Sequence, residues 1–456
     1  MRWRLRNGVG SVLTVITLVA VAGACAPASP ALRTGGATPA ATAPQWTTTW
    51  GAAVQQAASG PADIDRNWSE EGFADQTLRQ VLRVSVGGTE LRLRLSNAYG
   101  TKPLHIAGAT LARSDGGPKA RPGTIKELTF RGARATTIPV GRDLVTDALP
   151  FPTSALEKLT VSLRLDRPTG PATVHRFTTA TSYRAPGDHL RTVFTDAFDR
   201  NTSYAWYYLT AAEVTGRPRT PTDQRAALLA DSAEAPPAPF ARPVPPSFLV
   251  FGDSLIDGVG TTPGTDNRFS DKLAERLLAA RRPQGAVNAG LAGDSLLRDS
   301  PCYGEKALTR FEKTLREHPD LRTVFIHIGA NDLARTGPGN PCMQPHPPVT
   351  ARRLIDAHRT LIRQAHAHGL KAVGLTILPV RGAVFPFTDA VGDKVRQELN
   401  TWIRTSGAYD TVLDAAQILT DPTTGRTAPG YVSEDGLHPS DAGYAALASA
   451  VNLNDL

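Results

Sequence analysis

Two periods of hydrophobicity divide the chain. From Trp46 to about Gly216 apolar and polar residues alternate, as in half-buried strands whose side chains face opposite ways in turn. Gln80–Val86 and Thr89–Leu95, separated by Gly87-Gly88, read as a hairpin. Leu91, Leu93 and Leu95 then share one face, and Arg92 and Arg94 the other. Further strands are predicted at His105–Ala112, Thr136–Val140, Lys158–Leu165, Thr173–Thr181 and Tyr204–Val214, set apart by turns containing Gly and Pro. Many short strands predict a β-sandwich over residues 46–216, jelly-roll-like in arrangement. Past residue 247 the period changes. Phe248–Phe251, Thr323–Ile328, Lys371–Leu378 and Thr411–Leu413 are short apolar strands, whereas Ser270–Arg282, Thr350–His368, Asp389–Ser406 and Ala442–Val451 carry apolar residues at helical spacing. Strands alternating with helices predict a parallel sheet covered on both faces.

Two segments fall outside this pattern. Residues 217–246 include PPAPFARPVPP and read as a Pro-rich linker. At the amino terminus Arg2, Arg4 and Arg6 precede an apolar run from Val9 to Ala24, the layout of an export signal over residues 1–24. The run is short for a transmembrane helix. Val21-Ala22-Gly23-Ala24-Cys25 resembles a bacterial lipoprotein box, which makes Cys25 a lipidation candidate; the alternative is simple secretion. Residues 25–45, rich in Pro, Ala and Thr, hold almost no large apolar side chains and read as a flexible tether.

Composition adds limits. The 456 residues are 41% hydrophobic and 20% charged, a folded chain long enough for two domains. Removing the three signal arginines from the net charge of +8 leaves +5, too weak a balance to predict nucleic-acid binding. Three cysteines exclude a disulfide-dense scaffold. In an exported protein Cys302 and Cys342, each a few residues past a polar loop, are expected to form a disulfide. Trp206, Tyr207 and Tyr208 would offer either a sugar-stacking face or core packing, and at least two of them are assigned to the core.

In an open parallel sheet, ligands bind outside the carboxyl ends of the strands. Four polar clusters lie there: Gly252-Asp253-Ser254-Leu255, Asn288–Gly293, Gly329-Ala330-Asn331-Asp332 and Asp435-Gly436-Leu437-His438-Pro439. Serine needs a base to take its proton during attack. His438 has the pKa range for that work, and Asp435, three residues earlier, is placed to fix its tautomer. Charge developing on an attacked carbonyl oxygen needs donors, for which the Ser254 and Gly293 N–H groups and the Asn331 amide are candidates. No partner for His346 lies at metal-ligand spacing, so neither metal nor cofactor is expected.

Together these blocks resemble the SGNH, or GDSL, hydrolase family over about residues 247–456. The resemblance implies a flavodoxin-like three-layer α/β/α fold. It also implies a nucleophile at Ser254, oxyanion donors at Ser254, Gly293 and Asn331, and an acid–base pair at Asp435 and His438. GDSL occurs again at 293–296, but Ser295 as nucleophile would leave no glycine block before Asn331. Asp253 and Asp332 are expected to hydrogen-bond loop backbone, and His327 to be a core or rim histidine. The implied activity is cleavage of a carboxylic ester. The β half tilts the expected substrate towards a short acyl group, acetyl above all, on a carbohydrate or cell-envelope molecule. A long-chain esterase and an acyltransferase using the same acyl-enzyme are the alternatives. An anchored glycan-binding protein with a vestigial hydrolase half is a third.

Overall fold

The computed structural model describes residues 45–59, 67–198, 202–216, 245–334, 342, 346–380, 383–384 and 387–456. The export signal, Cys25, nearly all of the tether and nearly all of the 217–246 linker lie outside the described residues.

Five apolar segments of the carboxy-terminal half form parallel strands in the spatial order Gly285–Gly290, Ser247–Gly252, Leu321–His327, Lys371–Leu375, Thr411–Leu413. Numbered along the chain, that order is 2-1-3-4-5, the flavodoxin-like arrangement, whose switch point lies between the first and third strands. Ser247–Gly252 is buried on both faces, as its run of Phe248, Leu249, Val250 and Phe251 requires. One layer, with Phe311, Leu354, Leu361 and Leu399, packs on Leu249, Phe251, Val324 and Ile326. The other, with Phe269, Leu273, Tyr444 and Leu447, packs on Phe248, Val250 and Phe325. Thr350, Asp389 and Ser440 cap their helices by accepting backbone N–H bonds.

The amino-terminal half is rich in β-structure. An antiparallel sheet that includes Gln76–Arg83, Lys158–Leu165 and Gly108–Arg113 shares one apolar core with Gly88–Ser96 and Leu209–Thr215. Leu91, Leu93 and Leu95 are fully buried in that core, while Arg92 and Arg94 on the other face pair with Glu213 at 2.5 and 2.7 Å. Trp206, Tyr207 and Tyr208 are all buried, leaving none as a stacking platform.

Two expectations need correction. Gln76–Arg83 and Gly88–Ser96 do not form a hairpin: they lie in different sheets. Gly88 is a site of close approach rather than part of a two-residue turn, because a Cβ on it would lie 2.7 Å from the Val214 Cβ. Residues Ser85 and Val86 instead bind Thr49, at 2.8 Å (Ser85 N to the Thr49 carbonyl) and 2.9 Å (Val86 N to Oγ1). Nor are the two halves separate bodies. Thr47–Ala52 pairs in parallel with Gly285–Gly290 and antiparallel with Leu209–Thr215, so a ten-stranded sheet runs through both. Pairing across some 240 residues leaves no trace in local periodicity.

Candidate active site

Ser254 stands at the switch point. The strand Ser247–Gly252 ends there, and a single helical turn, Ser254–Asp257, begins. Asp253 caps that turn by accepting the Leu255 N–H at 3.2 Å, and its Oδ1 also meets His327 Nδ1 at 3.1 Å. His327 is buried at the end of the neighbouring strand, and Asp332 accepts the Leu296 and Leu297 N–H groups at 2.6 and 3.1 Å. Burial pushes the Asp332 carboxyl up to about 6, against the pull of Arg298 and those two N–H groups.

The last loop brings a histidine to the serine. His438 Nε2 lies 2.8 Å from Ser254 Oγ, and His438 Nδ1 lies 2.5 Å from Asp435 Oδ2. A carboxylate only accepts, so Nδ1 carries the proton and Nε2 presents its lone pair to the serine hydroxyl. Asp435 Oδ1 accepts from Ser433 Oγ at 2.8 Å and from the Leu437 and His438 N–H groups at 2.8 and 2.9 Å. Burial raises the Asp435 carboxyl, but the His438 ring and these N–H groups outweigh it and hold the group well below the usual carboxylate range. Such a chain can draw the proton from a serine hydroxyl.

Gly293 and Asn331 flank the same space. Gly293 has φ of +85°, and a Cβ there would lie 2.3 Å from the Tyr303 ring. Asn331 donates one amide hydrogen to the Asp294 carbonyl at 2.9 Å, which leaves its second free to face the cavity it lines. Ser295, in the second GDSL copy, is not part of this chain. It lines a small neighbouring pocket with Arg298, Ser300 and Cys342, which shares Gly293, Tyr303 and Asn331 with the cavity over Ser254. Its neighbour Asp294 is buried against Arg310, with Nε to Oδ2 at 2.6 Å. Burial raises the Asp294 carboxyl despite that partner. Cys302 and Cys342 form a disulfide, with Cα atoms 5.1 Å apart.

The cavity over Ser254 has a volume of about 540 Å³. Asp253, His327, Asn331, Asp435 and His438 supply its polar edge, while Ile377, Leu378, Val380, Phe387 and Leu437 make most of its wall apolar. One wall is Phe177, from the β half. That residue was missed: Thr173–Thr181 reads as an ordinary strand, and only tertiary packing reveals that Phe177 turns to the site. In the structure the strand is confined to Val174–His175. Among the described residues no three His, Cys, Asp or Glu side chains are grouped to hold a metal, and no helix is long and apolar enough to cross a membrane.

Residues 250–446 match the model of the GDSL-like lipase/acylhydrolase family. No curated protein matches the chain. Solved structures similar to it include Est24, a carbohydrate acetylesterase from Sinorhizobium meliloti, at 20% identity, covering 45% of this chain and 95% of that one with a TM-score of 0.35. An aryl esterase from M. smegmatis is 20% identical over 45% of this chain and 95% of its own, with a TM-score of 0.34. A GDSL-like lipase from Bacteroides thetaiotaomicron is 17% identical over 50% and 93%, with a TM-score of 0.32. Residues 250–446 are thus a domain of the GDSL-like lipase/acylhydrolase family, and the chain that carries them is a hydrolase of ester bonds.

Proposed function

We propose that the chain is an exported serine esterase that works through an acyl-enzyme on Ser254 and takes an apolar acyl group longer than acetyl. The observation that carries this reading is the hydrogen-bonded chain Ser254–His438–Asp435 beneath an apolar cavity of about 540 Å³. Ser254 Oγ attacks the acyl carbonyl while its proton passes to His438 Nε2. The resulting imidazolium is stabilised by Asp435. The oxyanion faces the N–H groups of Ser254 and Gly293 and the free hydrogen of the Asn331 amide. Collapse expels the alcohol, which leaves with the proton from His438. Water then attacks the acyl-enzyme with His438 as base, releasing the acid and restoring Ser254.

The acyl preference follows from the cavity. Its volume is within the range that holds drug-sized ligands and far exceeds the needs of an acetyl group. The test is hydrolysis of p-nitrophenyl esters from acetyl to dodecanoyl by wild type and Phe177→Ala. The expected result is kcat/KM rising beyond acetyl, by roughly tenfold or more for several added methylenes at about 0.8 kcal/mol each. Phe177→Ala should move the optimum. A preference for acetyl would return the substrate to short acyl groups, and no hydrolysis would remove the esterase mechanism. Export, and lipid attachment through Cys25, rest on the amino-terminal sequence; intact mass of the membrane-extracted protein tests both.

A further inference from the structure

The β half reaches beneath Ser254 with one buried histidine. His175 is in the two-residue strand Val174–His175, paired with Trp206–Tyr207, and is 2% exposed. Its Nδ1 lies 2.6 Å from the Ala53 carbonyl and its Nε2 lies 2.9 Å from Asp257 Oδ1. The carbonyl only accepts, so Nδ1 carries a proton. The Nε2 contact then needs a proton of its own, held by the ring or by the carboxyl. Either way both ring nitrogens are held, Nδ1 on the Ala53 carbonyl and Nε2 on the Asp257 carboxyl.

Asp257 is the last residue of the turn that begins with Ser254, and it is 1% exposed. Its backbone N–H returns to the Asp253 carbonyl at 2.9 Å. Its second carboxyl oxygen accepts the Ala292 N–H at 2.9 Å. Ala292 immediately precedes Gly293, in a turn closed by the Asp294 N–H on the Leu291 carbonyl at 3.0 Å and tied to Gly252 by the Leu291 N–H at 3.1 Å. One carboxyl group thus joins His175, the Ser254 turn and the Gly293 turn. Arg268, also buried, lies close enough to sense the Asp257 charge, and it binds the Thr178 carbonyl of the same β segment at 3.3 Å.

We propose that His175 is a positioning residue for ester cleavage: through Asp257 it sets the Gly293 N–H relative to Ser254 Oγ. The proposal rests on acyl transfer at Ser254 and gives the β half a part in catalysis. A buried ionisable pair is a poor source of stability compared with apolar packing, so its presence between the two donor-bearing turns points to geometry.

The test uses the full chain with His175→Ala, His175→Gln, Asp257→Asn and Asp257→Ala, assayed on a p-nitrophenyl ester and normalised to sites titrated with a fluorophosphonate. His175→Ala should lower kcat by about 10²-fold, the cost of a misplaced oxyanion donor, with KM within about threefold. His175→Gln should regain part of this, because its amide N–H can replace Nε2–H towards Asp257. Asp257→Asn keeps an acceptor for Ala292 and a donor for a neutral His175 ring, and should stay well above Asp257→Ala. A merely structural role predicts fewer titratable sites with kcat per site unchanged, and that result would overturn the proposal. If His175→Ala does not fold, kcat per site in His175→Gln and Asp257→Ala decides; wild-type values in both would overturn it. A wild type that neither hydrolyses esters nor reacts with the fluorophosphonate would remove the esterase mechanism and this role together.

Discussion

Replacing Gly293 by alanine perturbs the oxyanion side of the site at one atom. The residue has φ of +85°, and left-handed backbone costs an L-residue with a Cβ about 1–2 kcal/mol. The new methyl would lie 2.3 and 2.4 Å from two carbons of the Tyr303 ring. The main chain that carries that ring is held in place. The Tyr303 N–H is held on Ser300 Oγ at 3.2 Å, the preceding Cys302 is bridged to Cys342, and the Cys302 carbonyl is bound by Gln55 and Arg176. The Gly293 turn must therefore move and carry its N–H away from the oxyanion position. Loss of one such donor costs about 10² to 10³ in kcat, or about 3–4 kcal/mol. The assay is steady-state hydrolysis of a p-nitrophenyl ester, with kcat and KM resolved and thermal unfolding as the control for folding. Expected are a kcat lower by about 10² or more and little change in KM. Gly293→Ala/Tyr303→Ala, which removes the clash but not the strained φ, should recover about tenfold of that loss, or about 1.4 kcal/mol. A Gly293→Ala variant with the kcat of wild type would mean that the Gly293 N–H does not serve the oxyanion.

Three other perturbations have distinct signatures. In Asp435→Asn the one remaining oxygen is held by Ser433 and the Leu437 and His438 N–H groups, so the NH2 faces His438 Nδ1, the tautomer is lost, and kcat should fall by about 10² to 10⁴. Because the Asp435 carboxyl is depressed on folding, its stabilising effect is present above the unfolded value near 4 and lost as pH falls, so urea unfolding should show Asp435→Asn costing more at pH 7 than at pH 3. Asp332 has the opposite sign. Its carboxyl is raised to about 6, so its ionisation weakens the fold as pH rises from about 4 to 6, by roughly 3 kcal/mol. Unfolding of Asp332→Asn should lack that decline, and a decline equal to wild type would contradict the assignment. Cys302→Ser/Cys342→Ser opens a bridge spanning 40 residues, for which chain entropy predicts about 4 kcal/mol of lost stability, checked by denaturant unfolding.

The parallel sheet and its rim were legible because each signal was local. Phe248–Phe251 reads as a buried strand, the polar cluster follows directly, and Asp435 and His438 share one short loop. Ser254 was separable from Ser295 by its position at a strand end, and the structure joins Ser254 to His438. Other features depend on contacts that sequence spacing does not encode. The helix Ala307–Glu317 was not predicted: its buried face includes Arg310 and Thr314, which blur the apolar stripe. Arg310 faces inward because it binds Asp294 and the Ala289 and Gly252 carbonyls. His175 and Phe177 lie about 80 residues from Ser254 in a segment of ordinary strand character, so nothing local marks them. The Gly87-Gly88 pair misled because close packing and a tight turn select the same residue.

The mechanism requires that Ser254 carry the acyl group. The most direct test is brief incubation of wild type, Ser254→Ala and Ser295→Ala with an excess of a p-nitrophenyl ester, followed by acid quench and peptide mass mapping. The expected result is an acyl adduct on the peptide containing Ser254, absent from Ser254→Ala and undiminished in Ser295→Ala. An adduct on Ser295, or turnover that persists in Ser254→Ala, would contradict it.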